Sequence, residues 1–506
     1  MMEQNYVMGI DVGTNETKGV ILDRECQVVH SYTVSHEIEN PAPNHFEQDA
    51  EKVWWQDVCK VSVGLLKESG VPKEAIGVLG ISALGCDCVP VDENCRPLCK
   101  AILYGIDSRS HEEIAWLNEY YGGRAEEIYG HSICSSDIAP KILWIKNHLP
   151  EVYEKTYKFL TASSYLTAKL TGRYCIDKYL AEDFLPLYDL ENNEPNKEMC
   201  GLYCRPDQMA EILYATEIAG EVTEDAAKET GLMPGTRVLT GTGDSGAEAI
   251  SSGVFVPGDL MVQLGSSCYF VYLADHLVQE NRLWPGTFII PGTYSICAGT
   301  NTAGTLTKWF KQNLYFDKLE EENNGGANAF FAMAESIRNI PAGSEGLITL
   351  PYFAGERTPL NDPFAKGMVI GLQLHHTREH IYKSALEGIA CSIWQHLRIL
   401  EENQLPVKKI MAVGGGTKNE PWLQLIADVL GRPIHISQVT MGAAYGDGLM
   451  AALAAGFYES WEELSQVVKP AKTYFPREEN RQVYERMTDM FQKLYEANKD
   501  FMHQLS

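Results

Sequence analysis

The sequence predicts an α/β protein of two similar domains, each a mixed central sheet flanked by helices, with a cleft between them. Its 506 residues exceed what a single hydrophobic core usually supports. Two segments, 7–23 and 259–273, share the order of an apolar run, a short tip of Gly with Ser or Thr, and a second apolar run. Because this order is typical of a β-hairpin, its recurrence indicates that the halves are structural duplicates. We expect domains at 1–248 and 249–506, with a hinge within 245–258.

The other elements follow from hydrophobic periodicity and from the residues that end each pattern. In chain order the sequence predicts a strand at 26–32, a helix at 49–69, a strand at 76–82, helices at 141–150 and 163–170, a strand entering a glycine-rich turn at 237–246, a strand at 410–413, and helices at 421–430 and 480–504.

Composition favours small neutral or metal-bound ligands over nucleic acid and lipid. The 68 acidic and 42 basic side chains give a formal net charge of −26, which repels nucleic acid and anionic membranes. No run approaches the ~20 apolar residues of a membrane helix, and the first residues lack the order of a secretory signal. The 13 cysteines form no C-x-x-C pair, so we expect reduced thiols. We therefore expect a cytoplasmic protein with no nucleic-acid or membrane partner; the sequence leaves a homodimer open.

Three glycine-rich turns are candidate phosphate contacts. They are Gly13-Thr14-Asn15 with Lys18 after it, Gly265-Ser266-Ser267, and Gly414-Gly415-Gly416. Phosphate needs several converging N–H donors and no Cβ in the way, which explains glycine and hydroxyl residues at such turns. Each turn alone is more often a plain connection between strands. Together they fit the ATP clamp of an actin-like (ribonuclease H-like) fold.

Other phosphate-binding patterns are absent or unsuitable. The chain has no G-x-x-x-x-G-K-[ST] segment. Residues 241–246 match the letters of G-x-G-x-x-G, but Asp244 in that loop would repel a pyrophosphate.

Two aspartates carry the predicted chemistry. Phosphoryl transfer to an alcohol needs a carboxylate to receive the hydroxyl proton and a cation to offset the phosphate charge. Asp244 is the candidate base, and Asp11, at the end of the first strand, is the candidate partner of Mg²⁺. The alternative is that each aspartate caps a turn or a helix.

With these residues in view, the chain resembles the FGGY family of carbohydrate kinases, within the actin-like ATPase superfamily. Residues 139–147 are similar to the family's first signature segment and 367–388 to its second. Residues 350–359 resemble a loop between the halves of its second domain, and the landmarks keep the family's order from about residue 6 to about residue 456.

The resemblance implies a phosphotransferase that acts on an alcohol group, with ATP and Mg²⁺. It implies that Asp244 is the general base, that Asp11 lies near the magnesium and the γ-phosphate, and that Thr14 and the 265–267 turn contact phosphates. Gly304, the 414–416 turn and Asn419 would border the nucleotide. Glu356 and Arg357 either belong to the functional site or form an internal ion pair that holds the domain's loops.

The sugar-facing positions depart from the family's pattern. Where xylulose kinases carry Gln-Met-His-Gly, this chain has residues 83–88, which include Cys86 and Asp87. The usual Trp-x-Asp-x-Arg keeps Asp107 and Arg109 without the Trp, and Ser245 stands where Asn often follows the catalytic Asp. We expect these five residues and Asp244 to face the substrate.

The substrate expected from the resemblance is a pentulose such as xylulose. Alternatives are another ketose, a polyol or a signalling molecule, or a non-catalytic nucleotide-binding regulator. At 86–88, the competing interpretation is that the cysteines are buried and Asp87 faces solvent.

Overall fold

A computed structural model describes residues 4–129 and 131–505. Numbered along the chain, its strands are β1 (Tyr6–Val12), β2 (Glu16–Leu22), β3 (Val28–Ser35), β4 (Glu39–Ala42), β5 (His45–Gln48), β6 (Ile76–Ala83), β7 (Val89–Val91), β8 (Ala101–Ile102), β9 (Lys158–Leu160), β10 (Cys175–Asp177), β11 (Tyr188–Asp189), β12 (Glu194–Pro195), β13 (Glu211–Leu213), β14 (Ile218–Glu221), β15 (Arg237–Leu239), β16 (Thr242–Gly243), β17 (Asp259–Leu264), β18 (Cys268–Ala274), β19 (Trp284–Thr287), β20 (Tyr294–Gly299), β21 (Ile348–Leu350), β22 (Met368–Ile370), β23 (Lys409–Val413), β24 (Ile434–Ser437) and β25 (Pro470–Tyr474).

The α-helices are α1 (Gln56–Ser69), α2 (His111–Tyr121), α3 (Ala125–Tyr129), α4 (Ile138–His148), α5 (Pro150–Lys155), α6 (Ala162–Thr171), α7 (Lys178–Ala181), α8 (Lys197–Tyr203), α9 (Glu224–Thr230), α10 (Asp244–Ser252), α11 (Gly304–Asn313), α12 (Phe316–Asn323), α13 (Ala329–Ser336), α14 (Arg378–Glu402), α15 (Glu420–Leu430), α16 (Ala443–Ala455), α17 (Trp461–Leu464) and α18 (Arg481–Gln504). No helix within the described ranges is long and apolar enough to cross a bilayer.

The chain forms two compact units whose limits differ from the expected domains. The first unit holds the residues up to Ser251 together with 286–294 and 441–468, and the second holds the remainder. Residues 286–294 and 441–468, expected in the second domain, thus group with the first unit. For 441–468 the reason is that α16 packs against β1 and β6.

The first unit is built on a mixed sheet with the strand order β3-β2-β1-β6-β15-β14. β1 and β2 form the predicted antiparallel hairpin, and β6 runs parallel to β1. In register, Asp11 pairs with Ser82, and Ser82 pairs with Thr242 on the short strand β16, which also runs parallel to β6. The carboxyl ends of three parallel strands therefore meet at one edge, where the connecting loops can bring polar side chains together.

The second unit repeats this plan. Its sheet includes the order β20-β18-β17-β23-β24-β25, in which β17 and β18 form an antiparallel hairpin. β23 runs parallel to β17, β24 runs parallel to β23, and β25 closes the edge in the antiparallel sense. The prediction of two similar mixed-sheet α/β domains is confirmed.

Close packing of α16 on the first sheet depends on glycine. A Cβ added to Gly9 on β1 would collide with the Ala444 carbonyl, and one added to Gly80 on β6 would collide with the Asp447 carbonyl. Both strands therefore present backbone to the helix, and α16 is buried along most of its length. This approach places the Asp447 side chain among the ends of β1 and β6.

We expect Gly80→Ala to destabilise the protein by about 1–3 kcal/mol, because the added methyl group forces α16 away from the sheet. Thermal melting checks this, with Gly123→Ala as the control, since a Cβ at Gly123 meets nothing within 4 Å. Equal melting temperatures for the two variants would contradict this account of the packing.

Candidate active site

Three polar residues meet at the carboxyl edge of the first sheet. Ser82 Oγ lies 3.2 Å from Asp11 Oδ1 and 2.6 Å from Asp447 Oδ2. One hydroxyl hydrogen cannot serve two ionised carboxylates, so one of the two acids carries a proton. Burial, followed by the charge of Asp11, raises the pKa of Asp447 well above its usual range. A neutral Asp447 that donates to Ser82, which donates to Asp11, satisfies both contacts.

Two further carboxylates lie on α10. Asp244 is its first residue and Glu248 follows one turn later; both are half-buried. Burial raises the pKa of Asp244 to about 6, against the opposing effect of the Ser245 N–H. Burial and then the charge of Asp244 raise the pKa of Glu248 to about 7. Asp244 is therefore ionised near neutral pH and only weakly stabilised as an anion, the state that a general base requires.

The carboxylates act on one another. Burial, Asp244 and Glu248 together raise the pKa of Asp11 well above its usual range, while Ser82 and Lys18 oppose the rise. Lys18 itself pairs with Glu16 at 2.6 Å. Such crowding of acids is relieved by a divalent cation, and Asp447 Oδ1 is a buried acceptor without a partner among the described residues. The residue set thus fits a magnesium ion at Asp11.

Hydrogen bonds hold the Gly13-Thr14-Asn15 turn in place. Gly13 N–H donates to the Glu16 carbonyl at 3.0 Å, and the two ring nitrogens of His36 lie 3.0 Å from the Gly13 carbonyl and from Asp57 Oδ2. His36 N–H also donates to the Asn15 carbonyl at 2.9 Å. No sequence pattern indicated His36, because it follows the end of β3 and lies some 20 residues from the turn that it supports.

Side chains complete the surroundings of this edge. Gln48 donates to the Thr14 carbonyl at 3.0 Å, and Thr14 Oγ1 donates to the Tyr104 hydroxyl at 3.3 Å. The Ser245 and Tyr179 hydroxyls lie 2.9 Å apart. Ser245 follows Asp244 at the start of α10 and is half-buried.

The predicted turns of the second unit lie against one another. Gly304 N–H donates to the Gly265 carbonyl at 2.9 Å, and Ala303 N–H donates to the Ser266 carbonyl at 3.0 Å. A Cβ at Gly304 would come within 2.5 Å of the Gly265 carbonyl, and one at Gly414 within 2.9 Å of the Leu264 carbonyl. Glycine is therefore required where the 304 and 414–416 turns approach the end of β17.

A cation and a helix start lie beside these turns. The Arg357 guanidinium donates to the Thr300 carbonyl at 2.7 Å and to Ser267 Oγ at 3.4 Å. Asn419 caps α15 by accepting the Trp422 N–H at 3.1 Å, so its oxygen has a structural role. Glu356 accepts the Asn301 and Arg357 N–H groups, which makes it a loop anchor. Positive charge and N–H donors next to Ser267 are the features that bind an anion.

Family models decide the class of protein. The model of the N-terminal domain of the FGGY family of carbohydrate kinases matches residues 6–251, and that of its C-terminal domain matches 260–455. The chain belongs to the FGGY family. It is a carbohydrate kinase, a phosphotransferase with an alcohol group as acceptor, as the sequence predicted.

Relatives of full length agree with the family. The xylulose kinase of Bacillus subtilis is 26% identical over 502 residues, which cover 98% of this chain and 97% of that protein. The gluconokinase of the same organism is 24% identical over 499 residues, with 96% and 95% covered. The crystal structure of xylulose kinase from Rhodospirillum rubrum superposes with a TM-score of 0.90 at 26% identity and covers 98% of this chain and 100% of that one.

Burial corrects the expectation for Asp87 in this FGGY kinase. Its side chain is 0% exposed, with Oδ1 accepting the Ala162 N–H at 3.2 Å. The carboxylate therefore faces neither a solute nor solvent, because it is enclosed beneath the loop after β6. Cys88 is buried as the competing interpretation held, whereas Cys86 is half-buried at the surface of that loop.

Asp107 and Arg109 also need correction as sugar contacts. Arg109 Nη2 and Nε donate to Asp107 Oδ2 at 2.7 and 2.9 Å, and Nη1 donates to Glu47 at 2.9 Å. Asp107 Oδ2 accepts the Phe46 N–H as well. Asp107 is 1% exposed and Arg109 is 6% exposed. Their hydrogen bonds join the 104–110 loop to β5.

Two other polar features already have their groups engaged within the protein. A groove of about 620 Å³ in the first unit includes Lys52, Lys100 and Lys169, and all three are already ion-paired. In the second unit, Glu345, His375 and His376 bring potential metal ligands within 4.8 Å of one another. Nδ1 of His376 accepts the Gln373 N–H at 2.9 Å, so the ring proton lies on Nε2 and neither nitrogen has a free lone pair.

We expect Asp447→Asn to lose less stability with rising pH than the native chain. Asp447 keeps its proton when folded and loses it above about pH 4 when unfolded, so the native chain loses free energy of unfolding as pH rises above that value, by up to about 1.4 kcal/mol per pH unit. An amide donates to Ser82 as the neutral acid does and has no such dependence.

Thermal melts at about pH 5 and about pH 8 measure this difference, and the advantage of the amide should grow at the higher pH. Asp447→Ala is the control, because it removes the group that donates to Ser82 at both pH values. Parallel pH profiles for Asp447→Asn and the native chain would show that Asp447 is ionised in the folded state.

Proposed function

We propose that this FGGY kinase transfers the γ-phosphate of ATP, with Mg²⁺, to a hydroxyl group of a neutral ketose, with xylulose as the first candidate. The observation that carries the proposal is Asp244, a half-buried carboxylate at the start of α10 with its pKa raised to about 6 and Asp11 beside it. A group with this pKa accepts a hydroxyl proton without remaining protonated at neutral pH.

Each unit has a part in this reaction. In the first unit, Asp244 takes the proton from the attacking hydroxyl, and Ser245 and Tyr179 fix the position of the loop that carries it. In the second unit, the Gly265-Ser266-Ser267 turn, Gly304 and the 414–416 turn hold the phosphates and border the nucleotide, with Arg357 supplying charge at Ser267. Asp11 would hold the magnesium ion, which offsets phosphate charge in phosphoryl transfer.

The charge around Asp244 favours a neutral sugar over a sugar acid. Asp11, Asp244 and Glu248 are carboxylates, and the nearby cation Lys18 is paired with Glu16. Arg109, a cation of the 104–110 loop, is paired with Asp107 and Glu47. A substrate carboxylate would meet repulsion here, which disfavours gluconate. Xylulose is uncharged and is the substrate named for full-length relatives.

We expect Asp244→Asn to lower kcat by at least about 100-fold, because the amide cannot accept the hydroxyl proton. For the native chain, kcat/KM should fall as pH drops through about 6, since Asp244 is inactive when protonated. ADP release measured with D-xylulose and Mg-ATP across pH checks both. Asp207→Asn, at an exposed aspartate, is the matched control. Native turnover in Asp244→Asn would remove Asp244 as the base, and ATP binding without sugar-stimulated ADP release would favour the regulatory alternative.

We expect Gly304→Ala to raise the KM for ATP by about 10-fold while the Kd of the sugar stays within about twofold, because the methyl group displaces the Gly265 carbonyl and with it the second turn. Steady-state kinetics with ATP as the varied substrate and calorimetry with the sugar separate the two effects. Gly123→Ala should change neither. A rise in the Kd of the sugar without a change in the KM for ATP would contradict the prediction, because it would show that the turn serves the sugar and not the nucleotide.

A further inference from the structure

We propose that Asp183 selects the sugar: its carboxylate accepts a hydrogen bond from a substrate hydroxyl at the loop after β6, and its charge rejects sugar acids. This inference rests on the proposed function and identifies a residue that no sequence pattern indicated. Four observations carry it, namely the position of Asp183, the fixed conformation of Cys86, the free side of the carboxylate, and the lack of a paired cation.

Asp183 lies on the segment that connects the two loops at the reacting edge. β6 and β16 are parallel neighbours, so residues 84–88 and 243–246 leave the sheet side by side. Leu180 touches both loops, with Cδ2 3.3 Å from the position of a Cβ on Gly85 and 3.0 Å from one on Gly243. From the same segment, Tyr179 contacts Ser245 and Asp183 contacts Cys86. Asp183 is thereby attached to the loop that neighbours the one carrying Asp244.

The loop itself is held in an unusual conformation. Cys86 has φ of 58°, a left-handed value that non-glycine residues rarely adopt. Its N–H donates to Asp183 Oδ2 at 3.0 Å, and its carbonyl accepts from the buried Lys141 ammonium at 2.9 Å. Such conformations persist where several contacts determine them, and they cluster at ligand-binding sites. The Asp183–Cys86–Lys141 clamp thereby fixes the loop after β6, which neighbours the one leading to Asp244.

The carboxylate keeps an accepting oxygen for a ligand. Asp183 is half-buried, and the Cys86 N–H donates to its Oδ2, with the Cys86 thiol close by. Within the described residues it forms no ion pair, and Lys141 affects it only at a distance. Burial raises the pKa of Asp183 to about 6, so it is charged at neutral pH. An ionised oxygen at a partly open edge accepts from a hydroxyl and repels another carboxylate.

The proposed contacts of Asp183 and Asp244 define a class of substrates rather than one sugar. A compound must offer a hydroxyl donor to Asp183 and another hydroxyl to Asp244, and it must carry no negative charge between them. Neutral ketoses and linear polyols meet both conditions; aldonates do not. A site that hydrogen-bonds a hydroxyl discriminates strongly against the analogue that lacks it.

Calorimetry and kinetics on Asp183→Ala and Asp183→Asn test this. The probes are D-xylulose, deoxy analogues that each lack one of its hydroxyls, and D-gluconate. We expect both variants to raise the Kd and KM for D-xylulose by about 10- to 100-fold, the loss of one hydrogen bond to a charged group, with the KM for ATP within about twofold. Asp225→Asn, whose side chain is 90% exposed, should match the native chain.

The deoxy analogues give a readout that a purely structural role would not change. One analogue should bind the native chain as weakly as D-xylulose binds Asp183→Ala. For that analogue, Asp183→Ala should change the Kd by less than about twofold. Asp183→Asn should also raise kcat/KM for D-gluconate relative to D-xylulose by about 10-fold, because the repulsion is gone. The asparagine variant keeps the side-chain shape, so it serves if the alanine variant does not fold.

The outcomes separate this inference from the proposed function. Native turnover of a ketose together with unchanged Kd values in both variants overturns the role of Asp183 alone. A uniform loss of affinity for every analogue also overturns it, since that is the mark of a damaged loop. Failure of the native chain to bind or phosphorylate any neutral sugar overturns both proposals.

Discussion

The first unit depends on the contact between α16 and the glycine positions of β1 and β6. Because Gly9 and Gly80 present bare backbone, the helix lies close enough for Asp447 to reach Ser82, and through it Asp11. Water cannot then solvate these acids, so their pKa values rise, and the charges of Asp244 and Glu248 are felt more strongly in the same region. Packing thus sets the electrostatics of Asp11 and Asp447, and burial likewise raises the pKa of Asp244 to about 6.

Local chemistry predicted much of the fold. The hairpin tips at 13–15 and 265–267 follow from glycine between β-prone runs, and the expected helices at 421–430 and 480–504 match α15 and α18 within one residue. Nothing local, however, assigns α16 to a sheet some 360 residues earlier in the chain, since an apolar helix fits either unit. Local patterns therefore do not place 441–468 with the first unit, and they do not distinguish Asp447, which is one polar residue in an apolar run.

In the candidate site, too, local sequence indicates some residues and tertiary packing determines the others. Asp11 and Asp244 could be named because strand ends and glycine-rich turns mark them, whereas the burial of Asp87 depends on the packing of α6 above it. The Asp107–Arg109 spacing was read as a sugar contact, but a guanidinium two residues from a carboxylate can instead close on it, and here it does. Asp183 stands in no motif. Its importance comes from Cys86, whose left-handed backbone is visible only in three dimensions.

The late position of α16 in the chain has a consequence for biosynthesis. The strands β1 and β6 leave the ribosome some 360 residues before the helix that covers their glycine face. Until then the nascent first unit exposes an apolar sheet surface that invites aggregation or chaperone binding. Asp447 is likewise separated from Ser82 and Asp11 until some 365 further residues have been translated, so this cluster of acids forms only after the sheet that carries two of its members.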